Sequence, residues 1–133
     1  MLFPVWNIQV DRAIRVAVAN QPRLMRELLV ETMTDQPDIE VVAEIEDESE
    51  ISRMIDELPL EFLIVTLQPS GIRASHCETF LRRHPDMKIL ALASDGNSFI
   101  FYTASVAIHK KVLEGSEQGI LATLRNNRRV PEI

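Results

Sequence analysis

Five short runs of β-branched and aliphatic residues predict β-strands along the chain. They cover residues 14–19, 39–45, 62–65, 89–93 and 106–109. The third run, FLIV, is apolar at every position, which is typical of a central strand covered by helices on both faces.

Between these runs, apolar residues recur at the three- and four-residue spacing of amphipathic helices. The predicted helices cover residues 23–34, 49–58, 74–84 and 116–126. Leu24, Leu28 and either Val30 or Met33 lie on one face of the first helix at helical spacing. Pro22 suits a first turn, where its missing N–H costs no hydrogen bond, and Ser116 supplies a cap for the last helix.

Strands that alternate with helices predict an α/β fold with a doubly wound parallel sheet and right-handed crossovers. Ligands of such sheets bind beyond the carboxyl ends of the strands. Any functional site is therefore expected at the residues that follow strands: Asn20 and Gln21, residues 66–69, residues 93–94 and Lys110.

The length of 133 residues fits one compact domain. We expect that domain over residues 13–126, an N-terminal extension over 1–12, and a C-terminal tail or the start of a linker over 127–133. No run approaches the roughly 20 apolar residues that span a bilayer, and the first ten residues lack a secretory pattern. The single cysteine, Cys77, cannot form an internal disulfide. These features predict a cytoplasmic protein.

Charge is distributed unevenly around a net value of −6. Residues 31–61 contain twelve acidic side chains and one basic side chain, Arg53. An acidic half repels nucleic acid, and the basic end of the chain is too short for a phosphate-binding stripe. We therefore expect no direct binding of nucleic acid. Adjacent His76 and Cys77 diverge on a helix, and no phosphate- or dinucleotide-binding fingerprint is present, so no metal or cofactor is expected.

Four segments in this order resemble the receiver domains of two-component response regulators, especially those attached to LuxR-type outputs. They are IRVAVANQPRLMRE from residue 14, QPDIEVVAE from residue 36, LRRHPDMKILAL from residue 81, and residues 104–110. The resemblance implies a flavodoxin-like sheet of five parallel strands in the order 2-1-3-4-5. It also implies signalling in place of catalysis, with partners bound by the fourth helix, fifth strand and fifth helix.

Receivers of that family are phosphorylated on an aspartate after the third strand, where two acidic residues after the first strand hold magnesium. A Thr or Ser after the fourth strand and a Lys after the fifth contact the phosphoryl oxygens. The resemblance places Thr66 at the aspartate position and Asn20 and Gln21 at the acidic pair. It places Ala93 at the hydroxyl position and Lys110 at the lysine.

These substitutions predict a degenerate phosphorylation pocket. Magnesium prefers anionic oxygen ligands, and a threonine without an adjacent base is a weak nucleophile. We therefore expect neither a catalytic residue nor a metal in this pocket. The same residues also have a purely structural interpretation, in which Thr66 closes a strand end and Asn20 makes a turn before Pro22.

The segment after the fourth strand is about five residues short for a full fourth helix. We expect a shortened helix there and a remodelled output face. Phe99, Phe101 and Tyr102 are either a contact patch for a protein partner or homodimer, or core side chains. Phe3 and Trp6 of the extension either dock on the domain or a partner, or belong to an unstructured leader.

The leading hypothesis is a phosphorylation-independent, receiver-like domain that acts in signalling or transcription regulation through protein contacts. The alternative is a sensor that binds a small ligand in the vacated pocket near Asn20, Gln21, Thr66 and Lys110. A flavodoxin-like enzyme is the weakest hypothesis, because no nucleophile and base can be paired from the sequence.

Overall fold

A computed structural model describes residues 13–104 and 108–127 of the chain. Its strands are β1 (Ile14–Ala19), β2 (Ile39–Glu44), β3 (Phe62–Thr66), β4 (Lys88–Leu92), β5 (Ser98–Ala104) and β6 (Ile108–Glu114). Its α-helices are α1 (Arg23–Thr34), α2 (Ile51–Glu57), α3 (Ala74–Arg83) and α4 (Glu117–Asn126). A 3₁₀ turn over Glu48–Glu50 leads into α2. The predicted extension and the tail beyond residue 127 lie outside the described residues.

The strands form one sheet in the order β2-β1-β3-β4-β5-β6. The pairs β1–β2, β1–β3 and β3–β4 are parallel, which confirms the α/β class and the first four places of the predicted order. The pairs β4–β5 and β5–β6 are antiparallel. The prediction of five strands, all parallel, is therefore wrong for this end of the sheet.

A strand stands where the shortened fourth helix was expected. The chain reverses directly after β4, at a turn in which Gly96 has a φ of 76° and the Ala93 N–H donates to the Ser98 carbonyl over 2.9 Å. The Asn97 N–H donates to the Asp95 carboxylate over 2.9 Å. A left-handed glycine beside Asp and Asn makes a tight reversal, so the aromatic run after it pairs back along β4.

Helices cover both faces of the sheet. Helices α1 and α4 pack on the face that carries Val16, Val18 and Ile64 (the α1/α4 face). Helices α2 and α3 pack on the face that carries Leu63 and Val65 (the α2/α3 face). Every residue of β3 is buried, as its unbroken apolar run predicted.

The aromatic residues of β5 belong to these two cores. Phe99 and Tyr102 are fully buried and Phe101 is 9% exposed. Phe99 and Phe101 point to the α1/α4 face and Tyr102 to the α2/α3 face, because successive strand residues alternate in direction. The alternative in which these three side chains form a partner-binding patch is therefore wrong.

The buried side of α1 agrees with the expected face at Met33 and differs from it at Leu24 and Leu28. Arg26, Leu29 and Met33 face inward, whereas Leu24 is 66% and Leu28 is 51% exposed. At the other end of the chain, the Gly119 N–H donates to the Ser116 hydroxyl over 3.0 Å, which confirms the predicted cap of α4. Within residues 13–104 and 108–127, no helix is both long enough and apolar enough to cross a membrane.

Replacing Tyr102 by phenylalanine is expected to leave the domain as stable as before, or more stable by up to about 1 kcal/mol. The tyrosine hydroxyl is buried without a hydrogen-bond partner among the described residues, so its removal relieves an uncompensated desolvation cost. Tyr102→Ala is expected to cost about 3–5 kcal/mol, because it empties a core site. Urea unfolding of both variants measures these changes; a clear loss in Tyr102→Phe would contradict the first expectation.

Candidate functional site

The carboxyl ends of β1 and β3 bring two predicted site residues together. Ala19 pairs with Val65 in the parallel ladder, so the next residues, Asn20 and Thr66, are neighbours at the edge of the sheet. The Asn20 Nδ2 amide donates to the Thr66 Oγ1 hydroxyl over 2.8 Å. Both residues are buried, with exposures of 0% and 1%. The geometric part of the prediction, that these strand ends meet, is confirmed.

Arg26, which sequence reasoning missed, holds the other side of Asn20. Its side chain is only 4% exposed and its Nε donates to the Glu44 carboxylate over 3.1 Å. Its Nη1 donates to the main-chain carbonyl of Asn20 over 3.2 Å. A buried guanidinium needs such partners to offset its lost hydration. Arg26 thereby joins α1, the end of β1 and the end of β2.

Two further predicted residues use their hydrogen-bonding groups elsewhere. The Gln21 Nε2 donates to the main-chain carbonyl of Glu46 over 2.7 Å, so this amide holds the loop after β2. Ala93 lies half-buried at the start of the β4–β5 turn, where its N–H closes the reversal onto Ser98. Each residue contributes to the shape of the sheet edge through a bond to backbone.

Lys110 does not lie in the pocket where the resemblance placed it. It is an exposed residue within β6 and pairs with Tyr102 of β5. Thr66 aligns with Leu92, Phe99 and then Leu113 across the sheet. Lys110 is therefore three strand spacings from β3, about 14 Å, and three residues further back along its strand, about 10 Å. The hairpin explains why Lys110 lies far from Thr66: β5 separates β4 from β6, the strand that carries the lysine.

The donor set at Asn20 and Thr66 does not fit a magnesium ion. Magnesium prefers octahedral coordination that includes carboxylate oxygens, and here an amide is bonded to a hydroxyl. Asn20 Oδ1 is buried with no hydrogen-bond partner among the described residues, so this oxygen can accept a hydrogen bond from one more donor, such as an ordered water. Within the described chain, no three His, Cys, Asp or Glu side chains are grouped to hold a metal ion.

Three surface cavities lie elsewhere on the domain. One of about 160 Å³ opens between α1 and the start of α4 and includes Met25 and Ile120 in its lining. One of about 280 Å³ borders the loop after β3, beside Pro69 and Ile72. One of about 260 Å³ lies under the loop after α3, beside Arg83. None of these three is lined by Asn20, Gln21 or Thr66.

The one cysteine gives the domain no ready nucleophile. Burial raises the pKa of the Cys77 thiol to about 12, with a smaller contribution from the negative charge of Glu78. The reactive form of cysteine is the thiolate, so Cys77 stays protonated and inert at neutral pH. It packs in the core beside Phe80 and Leu81.

The fold resembles that of response-regulator receiver domains. Two dimers of RcsB bound to parallel DNAs match with a TM-score of 0.57, 19% identity and coverage of 64% of this chain and 44% of that one. The isolated receiver domain of RcsB from Salmonella enterica serovar Typhimurium, determined with phosphomimetic BeF3−, matches with a TM-score of 0.56 and 19% identity. The match covers 61% of this chain and 62% of the RcsB domain. The receiver domain of the response regulator NarL from Mycobacterium tuberculosis matches with a TM-score of 0.55 and 18% identity. The match covers 62% of this chain and 68% of the NarL domain.

These likenesses show a receiver-type fold. The chain spans 44% and 62% of the lengths of the two RcsB chains. A scan against protein-family models finds no match, and a search of the curated proteins finds none either. The predicted receiver-like, flavodoxin-like architecture is confirmed as a fold, with the hairpin β5–β6 as the departure from the expected strand order.

Replacing Thr66 by valine is expected to destabilise the domain by about 1–3 kcal/mol, because it leaves the buried Asn20 amide without an acceptor. The matched control is Thr123→Val. Thr123 is also buried, but its hydroxyl donates to the Gly119 carbonyl within α4 over 2.8 Å. Removing this hydroxyl leaves no buried N–H without an acceptor, so it is expected to lower the free energy of unfolding by less than about 1 kcal/mol. Denaturant unfolding compares the two; equal losses would contradict a special role for the Asn20–Thr66 bond.

Proposed function

We propose that this chain is a receiver-like signalling domain that works without phosphorylation, in two-component signal transduction or transcription regulation, through contacts with other proteins. The observation that carries the proposal is the buried hydrogen bond from Asn20 Nδ2 to Thr66 Oγ1, 2.8 Å long. It occupies the strand ends at which the resembled receivers hold magnesium and accept a phosphoryl group. The receiver-type fold supports the signalling class.

The surroundings of Thr66 argue against a nucleophilic role. An attacking hydroxyl needs a base that takes its proton, and the group bonded to Thr66 Oγ1 is an amide donor. Arg26, the cation beside Asn20, already bonds Glu44 and a backbone carbonyl. Phosphoryl transfer depends on cations that offset the charge on the phosphoryl oxygens, so the site lacks the usual means of catalysis.

Ligand sensing and enzymatic function rank below this proposal. The sensor hypothesis depended on Lys110 as an anion-binding group beside Asn20 and Thr66, and Lys110 lies on β6. The enzyme hypothesis lacks a nucleophile, because the Cys77 thiol is buried with a raised pKa and Thr66 is bonded to an amide donor.

A protein partner fits the charge of the domain better than nucleic acid does. Residues 31–61 carry twelve acidic side chains, and such a surface repels phosphates. The structures of RcsB include dimers bound to DNA, so a protein with this fold works in an assembly. We therefore propose protein contacts, without direct DNA binding by this domain, as the output.

Incubation with magnesium and acetyl phosphate, followed by intact-mass measurement, tests the proposal. No mass increase of one phosphoryl group is expected, because neither an activated nucleophile nor a magnesium site is provided. The RcsB receiver domain, studied with phosphomimetic BeF3−, serves as the positive control under the same conditions. A phosphorylated species that appears in the native chain and is lost in Thr66→Val would overturn the proposal.

A further inference from the structure

Strand β6 is the last strand of the sheet and is basic at its centre, in a chain whose net charge is −6. Its sequence is IHKKVLE, and the side chains of His109, Lys110 and Lys111 are exposed. Among the described residues, no ion pair is formed by either lysine. The outer strand of an acidic domain therefore presents positive charge that no carboxylate of this part of the chain neutralises.

The outer edge of β6 is regular along its whole length. All seven residues pair with β5 in one unbroken register, and within residues 13–104 and 108–127 no strand pairs with the other side of β6. Proteins protect such edges with short strands, prolines, bulges or charge. Strand β6 has only the charge, so its main chain is available to an added strand whose own charge suits the lysines.

The hydrogen bonds of the hairpin show which main-chain groups face this edge. The Gly115 N–H donates to the Asn97 carbonyl over 3.2 Å, and these two residues continue the register of β5 and β6 by one step. In an antiparallel ladder, pairs that exchange hydrogen bonds alternate with pairs that do not. Lys111 therefore bonds β5, whereas Lys110 and Val112 direct their N–H and C=O groups to the outer edge.

The turn between β4 and β5 gives the same assignment independently. The Ala93 N–H donates to the Ser98 carbonyl over 2.9 Å, so Ser98 and every second residue after it bond β4. The residues between them, such as Phe101, are left to bond β6, and Phe101 pairs with Lys111. Both turns thus leave the main chain of Lys110 on the outer side of β6.

A second copy of the domain is a poor occupant of this edge. In a two-fold antiparallel pairing of β6 with itself, the middle residue Lys111 faces its own copy, and like charges directly opposite destabilise a strand pair. The other edge strand, β2, has acidic side chains, but Glu40 bonds Arg15 and Glu44 bonds Arg26. The carboxylates of β2 are therefore already paired, and an acidic strand for β6 has to come from another protein.

We propose that β6 binds an extended acidic segment of a partner protein as a seventh strand of the sheet. The outward N–H and C=O groups of Lys110 and Val112 hold the segment, since main-chain hydrogen bonds supply the affinity of an added strand. Lys110 and Lys111 project from opposite faces of the sheet, so they select a segment with acidic residues at consecutive positions. This inference rests on the proposed function for the class of partner, a protein, and gives that contact a place and a chemistry.

The capped peptide TVEEEVT is a suitable probe, because it reads the same in both directions and so fits either strand orientation. Titrated into the isotope-labelled 133-residue chain, it is expected to shift the amide resonances of Lys110 and Val112 saturably and to slow their hydrogen exchange, which is fast in the free chain. The peptide TVKKKVT is expected to bind at least about tenfold more weakly, because it places like charges opposite the lysines.

A proline at position 112 separates main-chain bonding from side-chain contact. Val112→Pro removes an outward N–H and leaves the bonds to β5 in place, so it is expected to weaken TVEEEVT binding about tenfold. The matched control, Val112→Ala, keeps the N–H and is expected to change the affinity by less than about threefold. Protected amides in β5 check that both variants stay folded.

Charge reversal tests the selection without a proline. The double variant Lys110→Glu, Lys111→Glu is expected to bind TVKKKVT in preference to TVEEEVT, because the opposite-charge pairs are restored with the signs exchanged.

Five outcomes would overturn the inference. Two concern the peptide: no saturable shift with TVEEEVT, or equal losses of affinity in Val112→Pro and Val112→Ala. Slow exchange of the Lys110 and Val112 amides in the free chain would show that the edge is already covered. Growth in particle size with protein concentration would assign the edge to a second copy, and displacement of the peptide by single-stranded DNA would assign it to nucleic acid. None of these measurements uses a phosphodonor, so failure here is distinct from phosphorylation of the chain, which would overturn the proposed function.

Discussion

The burial of β1 and β3 on both faces is the constraint on which the rest of the structure depends. Helices cover these central strands from above and below, so a polar group that follows either strand must find its partner inside the protein. Asn20 and Thr66 meet this requirement by bonding each other, and Arg26 bonds the Asn20 carbonyl. A neutral pair at this position needs no metal to balance its charge. The hydrogen bond between Asn20 and Thr66 therefore satisfies both side chains where the two buried strands end.

The hairpin at the other side of the sheet has several consequences. A glycine turn directly after β4 sends β5 back along β4, and the strand that carries Lys110 lies one place further out than the resemblance implied. The lysine is thereby removed from the neighbourhood of Thr66, and the aromatic residues of β5 become core. The same change leaves Val112 and its neighbours on a face without a full helical cover. The position of Lys110 on β6 and the incomplete cover of this face thus follow from the same turn after β4.

Sequence patterns predicted the central elements well, since each of them is set by burial. The run over Ile14–Ala19 and the unbroken run at β3 read as strands because nearly every side chain in them faces a core. The hairpin could not be predicted from the family resemblance, because the resemblance implied a helix after β4 and placed Lys110 in the pocket. The segment has its own turn signal, Asp95 to Asn97, and the aromatic residues after it form β5. Arg26 was missed because a charged residue on an amphipathic helix is exposed by default; its burial depends on Glu44, a partner distant in sequence.

The central claim is that a buried amide and hydroxyl have replaced the magnesium and phosphoryl site of a receiver. The most direct measurement is a titration of the isotope-labelled chain with magnesium and beryllofluoride, followed by two-dimensional NMR of the backbone amides. The account predicts that the resonances of Asn20, Thr66 and Leu67 stay in place, because the donor set offers neither a metal ligand of the required charge nor an acceptor for the phosphoryl mimic. Saturable shifts confined to these residues would contradict it.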